Sequence, residues 1–273
     1  MRLSRQCLVV SLGVLSLVPS VAGAARTESF QPLAAWKLDY SPTQCAELRD
    51  YGEPAKPVIF SIIPAPNGKS YEFVLVYKTP HPRRIEEVHG SVDFGSGPIS
   101  ALVLRYGSKD GKLTLYRYRI SADEMQQARS AKAVALQSAY MDASFELDQT
   151  SAVLDSLQRC TADLMRYWNY DGEEQGSIAV PSKGDVRSIF SAFDYPRDAL
   201  VKGEQGTTQY LLLVDERGRV AGCHVLIATG IPNLDSRGCI VLLARAKFSP
   251  ARDRAGKAVR SAVVTPEVVW RIP

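Results

Sequence analysis

Residues 207–230, TTQYLLLVDERGRVAGCHVLIATG, read as two strands joined by a tight turn. Asp215-Glu216-Arg217-Gly218 supplies the turn, a polar run ending in glycine between two apolar runs. The next run has a different period. NLDSRGCIVLLARA, residues 233–246, predicts a helix with Leu234, Ile240, Leu243 and Ala244 as its apolar side. Upstream, FDYPRDALVKG (193–203) predicts a short helix, with Asp194 capping it and Pro196 in its first turn. Downstream, KFSPARDRAGKAVRSAVVTPEVVWRIP ends the chain in another strand, roughly Val259 to Arg271.

This order of elements carries a set of spaced residues. Tyr195-Pro196 is followed by Ala199 and Gly206, then by a strand ending in Val214-Asp215. Gly218-Arg219-Val220 opens the next strand and Gly230 closes it; Leu234-Asp235 starts the helix, and Phe248, Pro250 and Gly256 lead into the last strand. The ordered set resembles the TonB C-terminal domain over about residues 186–273. The resemblance implies a small antiparallel sheet with helices packed on one face. It also implies a non-enzymatic module that binds a protein partner in the envelope, an outer-membrane transporter in the family's energy transducers. Binding there is by strand addition, in which main-chain hydrogen bonds supply much of the affinity. The last strand is the natural edge. Val259, Ser261, Val263, Thr265 and Val268 are the expected partner-binding positions, and Pro266 suits an edge because it cannot donate to a ladder.

The other end of the chain bears on compartment. Arg2 and Arg5 precede an uncharged, mostly apolar run from Cys7 to Val18, and Ala22-Gly23-Ala24 forms a small-x-small cleavage pattern. Residues 1–24 are therefore expected to be a signal peptide, the run being shorter than the roughly 20 residues that span a bilayer. The alternative is an uncleaved inner-membrane anchor, the one case in which membrane contact is expected. Cys7 leaves with a cleaved leader. Cys45, Cys160, Cys223 and Cys239 remain, an even number in an exported chain, which argues for disulfides. Of three pairings, Cys45–Cys160 and Cys223–Cys239 are preferred because each stays within one expected domain.

Residues 25–170 are expected to form an α+β domain of their own, an antiparallel sheet closed by helices. PVIFSIIPA and YEFVLVYKT flank Asn67-Gly68, and ISALVLRYGS and KLTLYRYRIS flank Asp110-Gly111, two hairpin signals. In the last of these runs Leu113, Leu115 and Arg117 alternate with Thr114, Tyr116 and Tyr118, so one face is expected to be solvated. Ser121 with Glu124 has capping-box spacing. Val153, Leu154, Leu157, Cys160 and Leu164 then recur at helical spacing. Residues 171–185, with glycines, charges and no period, read as a linker that few contacts should cross.

No enzyme motif stands out. His81, His89 and His224 lie far apart, and His224 is expected to face solvent or a partner, opposite Cys223. Ser96 lacks the pattern of a nucleophile elbow, and GSKDGK is not a phosphate loop. No metal or cofactor is expected. The net charge is +4, which gives no reason to expect nucleic acid. From Val186 onward 13 basic residues face 8 acidic ones, with Arg245, Lys247, Arg252, Arg254, Lys257 and Arg260 clustered; such a surface is either simply solvated or steers an acidic partner. The expectation is a periplasmic, non-enzymatic protein. A membrane-anchored component of outer-membrane transport, or an envelope enzyme with its site in the first domain, are the alternatives.

Overall fold

The computed structural model describes residues 27–79, 85–108, 111–170 and 176–272. The expected signal peptide, His81, Asp110 and the start of the expected linker lie outside them.

Ten strands form one mixed sheet: β1 (Glu28–Phe30), β2 (Lys37–Ser41), β3 (Gln44–Glu53), β4 (Lys56–Pro64), β5 (Ser70–Tyr77), β6 (Glu86–Asp93), β7 (Ile99–Gly107), β8 (Thr114–Ser121), β9 (Ala133–Ser138) and β10 (Met141–Glu146). Their spatial order is β1-β10-β9-β6-β7-β8-β5-β4-β3-β2. All pairs are antiparallel except β1 with β10. The sheet curls until its ends meet: the Gly52 amide donates to the Gln31 carbonyl and the Leu33 amide to that of Asp50, both at 2.9 Å.

Local chemistry accounts for the hairpins. Between β4 and β5, Gly68 has φ 68° and the Asn67 carboxamide oxygen accepts the Lys69 amide. After β8, Ser121 and Glu124 form the capping box of α1 (Ala122–Met125), with Glu124 Oε2 2.7 Å from the Ser121 amide. The inner face of the curl is aromatic: the Phe60 ring lies tilted against Phe73 and Phe145, with centroids 5.5 and 5.1 Å apart. Helix α2 (Thr150–Tyr167) adds Val153, Leu154, Leu157 and Leu164 to this core, and Cys160 on it is bonded to Cys45 of β3.

The C-terminal part holds α3 (Arg197–Lys202), β11 (Gly206–Val214), β12 (Val220–Ile227), α4 (Pro232–Arg245), β13 (Ala251–Arg252), β14 (Ala258–Val259), β15 (Ser261–Val264) and β16 (Val268–Trp270). Central β11 is flanked by β12 on one side and by β15 and β16 in succession on the other. Three expectations are corrected here. The run Val259 to Arg271 is three short strands rather than one, and Pro266 sits in the gap between β15 and β16 rather than on a strand. The gap is held because Thr265 leaves the strand: its amide donates to the Tyr210 carbonyl at 2.9 Å, and its hydroxyl accepts the Tyr210 amide at 3.1 Å. Asp194 does not cap α3; Pro196 occupies that position, and Asp194 is buried in the preceding turn.

The third concerns α4. Leu234 is buried as expected, but Ile240, Leu243 and Ala244 are exposed, and Gly238, Val241 and Leu242 complete the buried side instead. At Gly238 the helix backbone lies against the Tyr210 ring, so closely that an added Cβ would fall 1.9 Å from the phenol oxygen.

The connection between the two parts is not sparse. Strand β11 is buried on both faces: Tyr210, Leu212 and Val214 pack under α4, while Leu211 and Leu213 enter the core of the curled sheet. Polar contacts run along the same seam. Asn67 Nδ2 donates to the Leu226 carbonyl at 3.2 Å, and Asn169 Nδ2 to that of Arg260 at 2.7 Å. Glu87 accepts the Asn233 amide at the start of α4 at 3.2 Å. Beyond Gly176, the segment expected to be a free linker is tied down. Val180 bridges to Arg252, Lys183 to Ser249, and the hydroxyls of Ser182 and Ser261 lie 2.7 Å apart.

Candidate functional site

The C-terminal sheet offers chemistry mainly through its backbone. β11 uses alternate residues for its two neighbours. The Tyr210–Thr265 hydrogen bond sets the phase: Tyr210, Leu212 and Val214 turn their amides and carbonyls to the β15 side. Their partners Thr265, Val263 and Ser261 are thus committed inward. Ala262 and Val264 oppose Leu213 and Leu211 without bonding them, so their backbone groups point away from the sheet. Among the described residues nothing bonds to them, and Val264 is exposed.

The five expected binding positions are spread over several settings. Val259 is on β14, paired with Ala251 of β13. Ser261 and Thr265 are buried, Val263 packs under α4, and Val268 on β16 pairs with Thr208. None of the five carries the open amides of β15, because alternate positions along a strand point their backbone groups to opposite edges.

The residues that hold this sheet in shape are those of the spaced set. Asp215 closes the β11–β12 turn, its Oδ1 accepting the amides of Arg217 and Arg219 at 2.9 Å. Gly218 has φ 77°, and its absent Cβ would meet the Phe248 carbonyl oxygen at 1.8 Å. That contact excludes any side chain there and lets the Gly218 carbonyl accept the Phe248 amide. Tyr195 donates its hydroxyl to the Glu204 carbonyl and stands edge-on to Trp270 at 5.6 Å. Asp235 is buried in the first turn of α4 and accepts the amide and hydroxyl of Thr229 at 2.8 and 2.9 Å. Residues 191–272 match the family model of the Gram-negative bacterial TonB protein C-terminal region. This segment is a TonB C-terminal domain. No curated protein and no solved structure matches the chain.

Cys223 on β12 of the TonB domain is bonded to Cys239 on α4, stapling sheet to helix. His224, next to it, departs from expectation. It does point away from Cys223, but that face is covered. Its Nε2 lies 3.0 Å from the Thr43 carbonyl, and burial lowers its pKa, so the ring is neutral near pH 7. The basic cluster is partly engaged as well. Arg260 stacks 3.7 Å over the Tyr167 ring and pairs with Glu216, and Arg245 pairs with Asp194.

Asp194 is the electrostatic anchor of the TonB domain. Arg245 reaches both its oxygens, at 2.7 and 2.9 Å, and Arg237 adds a third contact at 3.2 Å. The Arg245 hydrogen bonds chiefly, with the Ser191 amide and hydroxyl, lower its pKa to about 2 from 3.8. A carboxylate whose folded pKa is depressed stabilises above its unfolded value and loses that contribution as pH falls. Asp194→Asn is therefore expected to flatten the loss of stability between pH 4 and 2 relative to the parent, as read from urea unfolding at each pH. Parallel pH profiles for the two proteins would contradict this.

Sequence reasoning missed a second feature. The outer faces of β4, β5, β7 and β8 meet β12 and α4 across a cleft of about 380 Å³. Glu72 lies in it between two arginines. Arg119 binds Glu72 Oε1 through Nε at 3.1 Å and a terminal nitrogen at 2.7 Å, and reaches Asp235 at 3.1 Å. Arg117 Nε is 3.3 Å from Glu72 Oε2. The two arginines lower the Glu72 pKa even against burial, whereas burial dominates at Asp235 and raises its pKa. The signal was present in TLYRYRIS, where Arg117 and Arg119 share one face opposite Tyr116 and Tyr118. The expectation of one solvated face did not say which; docking of the TonB domain half-buries the arginine face. Among the described residues no helix is long and apolar enough to cross a membrane, and no cluster of His, Cys, Asp and Glu could hold a metal ion.

Proposed function

We propose that this envelope protein works in the periplasm as a non-enzymatic binding protein, and that its TonB domain takes an extended segment of a partner protein as an added strand. The observation that carries the reading is the open edge of β15, where the backbone groups of Ala262 and Val264 point outward with no partner among the described residues. Val269 on β16 continues this margin as an exposed apolar side chain. The opposite edge, β12, is a poorer acceptor because Asn67 of the β4–β5 hairpin already bonds the Leu226 carbonyl. An unpaired edge is a template for another strand. The TonB domain brings the family's partner class with it, a protein of the envelope such as an outer-membrane transporter.

Val264→Pro tests this reading. The substitution removes an outward amide and spares the bonds to β11, so it is expected to weaken a partner captured by periplasmic crosslinking at least about tenfold. Domain stability should stay within about 1 kcal/mol, since no internal hydrogen bond is lost. Hydrogen exchange along Ser261–Trp270 should slow in the complex. Full binding by Val264→Pro, with unchanged exchange there, would place the contact elsewhere.

A further inference from the structure

We propose that the cleft between the curled sheet and the TonB domain is a binding site for a small carboxylate with a linear apolar tail. Its volume, about 380 Å³, lies in the range of small-molecule pockets. The walls are apolar and come from both parts of the chain: Ile63, Pro64 and Leu104 on the sheet side, Ile240, Leu243 and the Cys223–Cys239 bridge on the other. Ile240 and Leu243 are 43% and 47% exposed, on a helix whose opposite side supplies the domain core. Two large aliphatic side chains turned toward a concave space are surface that a ligand tail would cover.

Polar recognition is concentrated at one point. Arg117 Nε lies 3.3 Å from Glu72 without a hydrogen bond, its guanidinium carbon stands 6.0 Å from the Tyr106 ring centroid, and among the described residues no hydrogen bond engages its terminal nitrogens. Glu72 does not need them, because Arg119 grips it twice. The charged groups at this point are Arg117, Arg119 and Glu72, with Asp235 paired to Arg119 behind them, so the charges balance and the open donors are those of Arg117. The planar guanidinium fork matches a carboxylate in a bidentate pair. One open guanidinium fork beside aliphatic walls suits a singly charged head with an apolar tail better than a multiply charged phosphate. The site lies apart from the β15 edge, so it does not depend on how the TonB domain engages a protein.

Isothermal titration of the exported, oxidised chain with decanoate below its micellar range tests the proposal, with decanol and N-acetyl-trileucine as comparison ligands. Decanoate should bind at least about tenfold more tightly than decanol, the scale of a charge-assisted pair. Arg117→Gln should abolish that preference and leave the tail contribution. Leu243→Asp, at an exposed position that folding tolerates, should weaken both linear ligands. Three results would overturn the proposal: no binding of decanoate, equal binding of decanoate and decanol, or a preference that survives Arg117→Gln. Tighter binding of the peptide than of decanoate would also overturn the linear tail and assign the site to a peptide C-terminus.

Discussion

Replacing Leu211 and Leu213 together by alanine is expected to cost about 5–8 kcal/mol, from the usual range for buried leucines, less any non-additivity between neighbours. Both side chains are fully buried and belong to the core of the curled sheet, although the strand that carries them is the central strand of the TonB domain. Truncation leaves cavities at the seam, where close packing joins the two parts. Typical domains have only about 5–15 kcal/mol in total, so the seam should open before either part unfolds. The parent protein is expected to melt in one transition by calorimetry and the double variant in two. Val201→Ala, at a side chain 81% exposed, is the control and should change nothing measurable. A double variant that still melts in one transition, within about 1 kcal/mol of the parent, would mean that the seam contributes little.

Removing the Cys45–Cys160 bridge has the next largest expected effect. The cysteines are 115 residues apart, and cross-linking a loop of that length stabilises by about 4–5 kcal/mol in the chain-entropy model. The bridge joins β3 to the buried face of α2, so its loss releases the helix as well as loosening the loop. Cys223–Cys239 spans only 16 residues, which predicts about 3 kcal/mol. Urea unfolding of Cys45→Ala/Cys160→Ala against Cys223→Ala/Cys239→Ala should reproduce that order. Equal losses, or free thiols detected in the native oxidised protein, would show that loop closure is not what these bridges contribute.

Much of this molecule can be read along the chain. Turn chemistry at Asn67-Gly68 and Asp215–Gly218, the Ser121–Glu124 box and the helical period of α2 each depend on residues within a few positions of one another. The spaced set of the TonB domain was legible for another reason: its turns and close approaches demand a particular residue type even where the partner is distant in sequence. The glycine at 218 is the clearest case, since only a residue without Cβ can lie against the Phe248 carbonyl.

The edges and faces are different. Whether Leu211 looks into solvent or into a core, whether Ile240 and Leu243 are the inner or the outer side of α4, and which amides of β15 are open all depend on what docks from far away in sequence. The unbroken apolar run of β11 was a partial signal. A strand as apolar as Tyr210–Val214 has no face to give to water and requires cover on both. It does not say what the cover is. The register of β15 was likewise hidden, because it is held by a pair of hydrogen bonds between Thr265 and Tyr210, 55 residues apart. Most hairpins and helices, their turns and the family of the C-terminal domain were legible along the chain, since local sterics and hydrogen bonding decide these; the breaks in the last strand were not. Which face is inside, which edge is open and where the cleft lies emerge from long-range docking, because burial and strand register are set by partners that no local pattern names.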